Sequence, residues 1–230
     1  MFRHTAFFLF RDGVTPEQHL IMRKGLAYMR YECPTVQHLD FGSDLFGGSR
    51  DMYSIKPYRR TPRWRSRQDG PPTHYDVALH LDFADASGND AYNNDDVHHE
   101  VSEYNASISD AELTARVDWL YDGDFLTRRG HVRHSEMFVW DDGVSETAQQ
   151  AALDAVGRLG DAPGVESLVL GRNVGTLTTD FDWIVDVHVP DEQACKQLLG
   201  SDIYAEVARE GAAVTKHEWT ARISHVMRGL

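Results

Sequence analysis

Apolar residues along this chain come in short runs that switch between two spacings. Residues 3–10 (RHTAFFLF) form an apolar run of strand length, and residues 15–31 follow with a helical pattern that Thr15 is placed to cap. Pro34 closes that region, because the residue before a proline resists the helical basin. Residues 36–45 and 75–83 alternate or run apolar as strands do. A broken helical stretch covers 85–108, and a strand covers 113–121. The same succession then returns as strand 132–140, helix 146–159, strands 165–174 and 181–189, helical stretch 191–211 and strand 217–227.

The return is one of sequence as well as pattern. Arg3-His4 answers to Arg133-His134, and Asp12-Gly13-Val14-Thr15 to Asp142-Gly143-Val144-Ser145, both 130 positions apart. Pro34-Thr35-Val36 answers to Pro163-Gly164-Val165. YDVALHLDF at 75–83 matches FDWIVDVHV at 181–189, and Thr114-Ala115-Arg116 matches Thr220-Ala221-Arg222, both 106 apart. Two offsets, each held over several landmarks, mean one duplication with an extra segment in the first copy. Each copy reads β-α-β-β-α-β, the ferredoxin-like order. One such unit covers one sheet face with helices and leaves the other apolar, so two units bury those faces against each other. The expected fold is therefore α+β, two fused ferredoxin-like (βαββαβ) repeats forming an intramolecular dimeric α+β barrel. The first repeat spans 1–124 with an insertion at about 47–73, the second spans 131–230, and residues 122–130 form the linker.

Composition narrows the partners. The 230 residues are 41% hydrophobic, enough for one large domain or two small ones with their own cores, and their net charge of -13 argues against nucleic acid. Cys33 and Cys195 have no Cys-x-x-Cys spacing and read as free thiols in a reducing cytoplasm. The opening apolar run is too short for a membrane span, so a cytoplasmic protein is expected. Against this acidic background the insertion is basic, with Arg59, Arg60, Arg63 and Trp64 at its centre. It reads either as a solvated loop or as a docking surface for an anionic carrier, such as an acyl carrier protein or a coenzyme A thioester. Arginines interleaved with aromatics also suit single-stranded nucleic acid, a reading the acidic remainder opposes.

The repeats differ most usefully at Tyr92-Asn93-Asn94-Asp95-Asp96-Val97-His98-His99. Six helical steps carry a side chain far from its starting direction, so Tyr92 and His98 cannot share one face of an unbroken helix. Asn93, Asn94, Asp95 and Asp96, four of the five residues between them, prefer caps and turns. One helix therefore ends near Tyr92 and a second starts at an Asp95 or Asp96 cap, with His98 in its first turn. That corner either points a phenol and an imidazole into one cavity, or packs Tyr92 in a core and leaves the histidines solvated.

The opening Arg-His strand, the Val-Thr/Ser helix start, the Pro-x-Val strand entry and the Tyr-Asp-x-Ala-Leu strand resemble the stress-responsive A/B barrel (Dabb) family. The resemblance runs over nearly the whole chain, twice, apart from the insertion, and implies the dimeric α+β barrel fold. The family includes polyketide cyclases of the olivetolic acid cyclase type, which use a tyrosine and a histidine as an acid/base pair. By that resemblance Tyr92 and His98 fall on the catalytic pair and His4 on an additional histidine of the first strand. The family's common His-Pro is Asp95-Asp96 here, and a pocket histidine and tyrosine correspond to Val77 and Leu26. In the second copy Leu198 and Tyr204 take the tyrosine and histidine positions, which implies one competent half and one structural half.

An aldol-type ring closure needs a base to remove a proton between two carbonyls and a donor to hold the developing oxyanion. His98 is the expected base and Tyr92 the donor. His4 either orients the pair or is a satisfied core histidine. The helix N-terminus favours a neutral imidazole at His98, and Asp95 and Asp96 oppose it. This chemistry needs no cofactor, and would also serve a hydroxynitrile lyase or an isomerase. The substrate class is a polyketide-like or phenolic small molecule. Asp95, Asp96, His98, His99 and Glu103 are dense in ligand types, yet no metal-binding spacing such as His-Glu-x-x-His appears, and no metal is expected. Two further readings stand beside the cyclase. One is a non-catalytic barrel that binds a small ligand or serves a stress response. The other is a haem- or metal-binding barrel, with His98, His99 or His217 as ligand.

Overall fold

Alternation gives every strand two working faces in the computed structural model, which describes residues 1–46, 75–122, 127–175 and 181–229. In the first repeat β1 (Phe2–Phe8) lies between β3 (Val77–Phe83) and β4 (Ala115–Leu120), and β2 (His38–Ser43) pairs with β3. All pairings are antiparallel, and the order is β2-β3-β1-β4. In the second repeat β5 (Val132–Phe138), β6 (Ser167–Arg172), β7 (Trp183–Val189) and β8 (Ala221–Val226) give the matching order β6-β7-β5-β8. Ala6 and Phe8 of β1 pack towards the first repeat's helices, while Phe7 and the following Leu9 pack into the space between the two sheets. The fold is the fused pair of ferredoxin-like repeats.

Helix starts follow the capping chemistry. Thr15 caps α1 (Pro16–Glu32) in a reciprocal box with Gln18, and Ser145 caps α4 (Glu146–Gly157). Asp85 and Asp191 cap α2 (Ala86–Asn93) and α5 (Glu192–Leu199), while Asp95 and Ser201 cap α3 (Asp96–Ile108) and α6 (Asp202–Gly211). Met22, Leu26 and Met29 make the buried stripe of α1, four and three positions apart as a helix face requires. The strand expected from residue 75 starts at Val77, because Asp76 is committed to the loop. Its carboxylate accepts from Phe10 N at 2.6 Å and its carbonyl accepts from Asp44 N at 3.0 Å. Asp182 does the same for Trp140 N in the second repeat.

The two sheets meet along two seams. At one, Leu45 N donates to Ser224 O at 2.7 Å. At the other, Val174 N donates to Asp118 O, also at 2.7 Å. A glycine sits at each. A Cβ on Gly171 would lie 2.0 Å from the Trp119 ring, and one on Gly42 would lie 2.7 Å from His225. Only a residue without a side chain lets these edges approach. Trp119 and His225 stand at corresponding positions of the repeats, so the seams are copies of each other.

The barrel interior is part apolar and part ionic. Phe7, Tyr75, Trp119, Met137, Ile184 and Ile223 belong to one buried cluster shared by both repeats. Beside it, Arg3 binds Asp82 through Nε (2.7 Å) and Nη2 (2.9 Å) and reaches across to Asp186 at 3.0 Å. From the other repeat Arg133 lies 3.4 Å from Asp40, and His225 bonds Asp40 at 3.0 Å. Arg3–Asp186, Arg133–Asp40 and His225–Asp40 each join one repeat to the other, so these contacts tie the halves together.

Candidate functional site

The site lies between sheet and helices of the first repeat. Strand register places His4 opposite Asp118, and His4 Nδ1 lies 2.6 Å from Asp118 Oδ1. With Asp118 accepting from Nδ1, Nε2 is the ring nitrogen left to take a proton. Asp118 is in turn roofed by the second repeat. Its backbone N donates to Asn173 Oδ1 at 3.2 Å, and a Cβ on Gly175 would come within 2.7 Å of its carboxylate.

Tyr92 arrives from the last turn of α2 and His98 from the first turn of α3. Asp95 makes the corner by accepting from Val97 N at 2.9 Å, and also accepts from the Cys33 thiol at 3.6 Å. The Tyr92 and His98 rings pack at a tilt of 38° with centroids 4.1 Å apart, and the His4 ring lies 6.4 Å from Tyr92. The three residues named from sequence are therefore neighbours. Tyr92 is only 2% exposed, and its hydroxyl donates to Met29 Sδ at 3.5 Å, so the phenol is packed into the core cluster. Leu26 and Val77 are fully buried in the same cluster. His99 turns outward and bonds Asn93 O at 2.9 Å. Arg59, Arg60, Arg63 and Trp64 lie outside the described residues.

Burial sets the protonation of the pair. It lowers His98 to about 4, helped by repulsion from His4 and His99, so the imidazole is neutral at pH 7. The opposing pull of Asp95 is smaller. His98 Nδ1 is buried with no hydrogen-bond partner among the described residues. Burial, then Cys33 and Asp95, push the Tyr92 phenol well above its ordinary value and keep it protonated. Cys33 is raised to about 12 by burial and Asp95, which makes it an inert thiol. The arrangement combines a neutral imidazole, a protonated phenol and an imidazole–carboxylate pair, which suffices for moving a proton at a carbon next to a carbonyl.

Asp118 was not singled out from the sequence. The signal for it is the alternation of Arg116, Asp118 and Leu120 on one face of β4, readable only once β4 is paired with β1. The second repeat's cluster was also missed. There Tyr204 donates to Glu136, His134 Nε2 lies 2.9 Å from Glu136 Oε1, and Arg222 Nε lies 3.3 Å from the same oxygen. Burial pushes the Glu136 carboxyl up, but Arg222 and His134 outweigh it and hold it at about 2. The adjoining cavity of about 30 Å³ has room for roughly one water. With three partners on one oxygen, this carboxylate is locked in place. Among the described residues no group of three His, Cys, Asp or Glu side chains is placed to hold a metal ion. No described helix is long and apolar enough to cross a membrane.

No family model matches the chain, and no curated protein matches it. Solved structures do. An anthrone oxidase-like protein superposes over 98% of this chain and 90% of its own, with TM-score 0.60 and 12% identity. A candidate monooxygenase from Fusobacterium nucleatum covers 100% of this chain and 91% of its own, with TM-score 0.53 and 11% identity. Another from Lactobacillus acidophilus covers 99% and 93%, with TM-score 0.52 and 12% identity. The likeness is one of fold, and it spans both repeats.

Proposed function

We propose that this chain is an acid/base enzyme of the Dabb barrel kind, acting on carbon–carbon bonds next to a carbonyl. Intramolecular aldol-type closure of a polyketide-like or phenolic intermediate is the specific reaction. His98 is the base, Tyr92 the donor to the oxyanion, and His4, oriented by Asp118, the helper. The observation that carries this reading is the His98 ring, packed at a tilt 4.1 Å from the Tyr92 ring, with a buried Nδ1 that has no hydrogen-bond partner among the described residues; burial keeps that ring neutral. Side chains alone supply acid and base. The basic stretch around Arg59, Arg60, Arg63 and Trp64 is proposed, on its sequence alone, to contact an anionic carrier or coenzyme A thioester.

The test is turnover of linear poly-β-keto thioesters by the purified protein, followed by chromatography of the cyclised product. His98→Ala is expected to lower the rate by about 10² or more, the usual worth of a general base. Undiminished turnover in that variant would remove His98 from the mechanism. One observation favours a second reading, a barrel that binds a small ligand without transforming it. The Tyr92 hydroxyl is spent on Met29 Sδ, so a substrate must displace that contact to reach it. Substrate binding without turnover, unaltered in His98→Ala, would establish that reading instead.

A further inference from the structure

On the outer side of the first repeat, between α1 and α3, lies a cleft of about 380 Å³. Ile21, Gly25 and Tyr28 line it from α1, and Val101, Tyr104 and Asn105 from α3. Its volume falls within the range of small-molecule sites, roughly 300–1,000 Å³. Gly25 lets the helices approach, since a Cβ there would meet Val101 at 3.3 Å. Asn105, only 4% exposed, contributes an Oδ1 that is buried and has no hydrogen-bond partner among the described residues. A buried amide oxygen left unpaired is unfavourable, and a donor arriving from a ligand would relieve it.

The duplication supplies an internal comparison. At the repeat offsets Tyr28 corresponds to Arg158, Tyr104 to Glu210 and Asn105 to Gly211. Arg158 Nη2 binds Glu210 Oε1 at 2.6 Å and lies 3.5 Å from Glu206 Oε1, so an ion pair spans this place in the second repeat. In the first repeat two tyrosines stand there instead, and Tyr28 is 51% exposed. Tyrosines offer flat, rigid, amphipathic contact at little entropic cost. Lys24 and Glu100, both exposed, line the cleft with opposite charges and give it no net sign.

The geometry points to a binding site in this cleft for a neutral, flat aromatic molecule carrying a hydrogen-bond donor. The ring lies between Tyr28 and Tyr104, and the Asn105 amide turns to bring its buried Oδ1 to the donor. The site is separate from the proposed catalytic pair, although Asn105 and His98 sit on one stripe of α3, seven positions apart.

The test uses 2-naphthol as probe, with 2-methoxynaphthalene as the same ring system lacking the donor, and reads binding by ligand-observed NMR and calorimetry. Saturable binding of 2-naphthol is expected, at least about tenfold tighter than the ether, as one buried hydrogen bond would give. The double variant Tyr28→Arg/Tyr104→Glu writes the second repeat's ion pair into the first and should abolish binding. Tyr28→Arg alone, at a half-exposed side chain, decides the matter should the double variant not fold. Absence of 2-naphthol binding, equal binding of the ether, or binding retained in these variants would overturn the proposal. Binding lost in His98→Ala but kept in the cleft variants would put the probe at the catalytic pair and overturn it equally.

Discussion

Two adjacent histidines meet different chemistry because successive helical residues diverge by about 100°. His99 faces water and bonds Asn93 O, while His98 turns in against Tyr92. Burial, then repulsion from His4 and His99, lowers His98 to about 4, below the value of about 6.5 it takes in the unfolded chain. The unfolded chain therefore binds this proton first. The contribution of His98 to stability is full above about pH 6.5 and is lost as pH falls towards 4. The expected outcome is a ring resonance, assigned by its absence in His98→Ala, that titrates near pH 4. A midpoint near 6.5 would mean a solvated ring and would remove the neutral base from the proposed mechanism at mildly acid pH. Tyr92 and His98 were legible in sequence because Asn93 to Asp96 carry their own cap chemistry. Asp118 was not, because its partnership with His4 is made by strand register across 114 positions. The fate of the Tyr92 hydroxyl was equally hidden, since Met29 reaches it only through tertiary packing.

At the scale of elements, the repeat was readable because caps, strand runs and turn residues recur at fixed offsets. The isolated bridges follow the same offsets, Phe10 with Ser109 and Trp140 with Thr215. Strand ends were less readable. Runs at 36–45 and 75–83 look continuous, but side-chain bonds such as that from Phe10 N to the Asp76 carboxylate take their ends for loop contacts. The seam glycines were unreadable as well, because nothing local distinguishes a glycine that admits a neighbouring sheet from one in a turn. Their role makes a direct prediction. Gly171→Ala drives a Cβ to 2.0 Å from a fully buried indole that has nowhere to swing, and Gly171 lies in a strand where its backbone carries no other strain. The substitution should destabilise the chain by about 1–3 kcal/mol, the usual cost of overpacking, read as a lower urea midpoint with unchanged slope. An unchanged midpoint would mean that the seam opens freely and that the two sheets are not held edge to edge.

The whole molecule is held by an ionic interior as well as an apolar one, and that interior fixes how it responds to acid. Arg133 Nε donates to His188 Nε2 at 3.1 Å, so that nitrogen accepts and carries no proton. Its other nitrogen pairs with Ser167 Oγ at 3.0 Å, which leaves His188 neutral. His80 lies stacked on His225, bonds Thr5 Oγ1 at 3.2 Å, and has a buried Nε2 without a hydrogen-bond partner among the described residues. Burial first, and then the Arg133 charge, lower both His80 and His188 well below the ordinary value. In the unfolded chain each titrates near 6.5, so below that pH only the unfolded state gains these protons and stability falls. The carboxylates act in a different window. Burial pushes Asp40 up, but His225 and Arg133 outweigh it and hold it below the usual range, so its contribution persists until the pH drops below about 4. Urea midpoints should therefore fall steadily from pH 7 to pH 5, before Asp40 loses its contribution. Because Arg3–Asp186, Arg133–Asp40 and His225–Asp40 each join one repeat to the other, fluorescence and circular dichroism should lose both repeats in one coincident transition. A midpoint that stays flat to pH 4 would mean that the histidines charge in place within the folded barrel. Two separated transitions would mean that the ionic interior does not couple the halves.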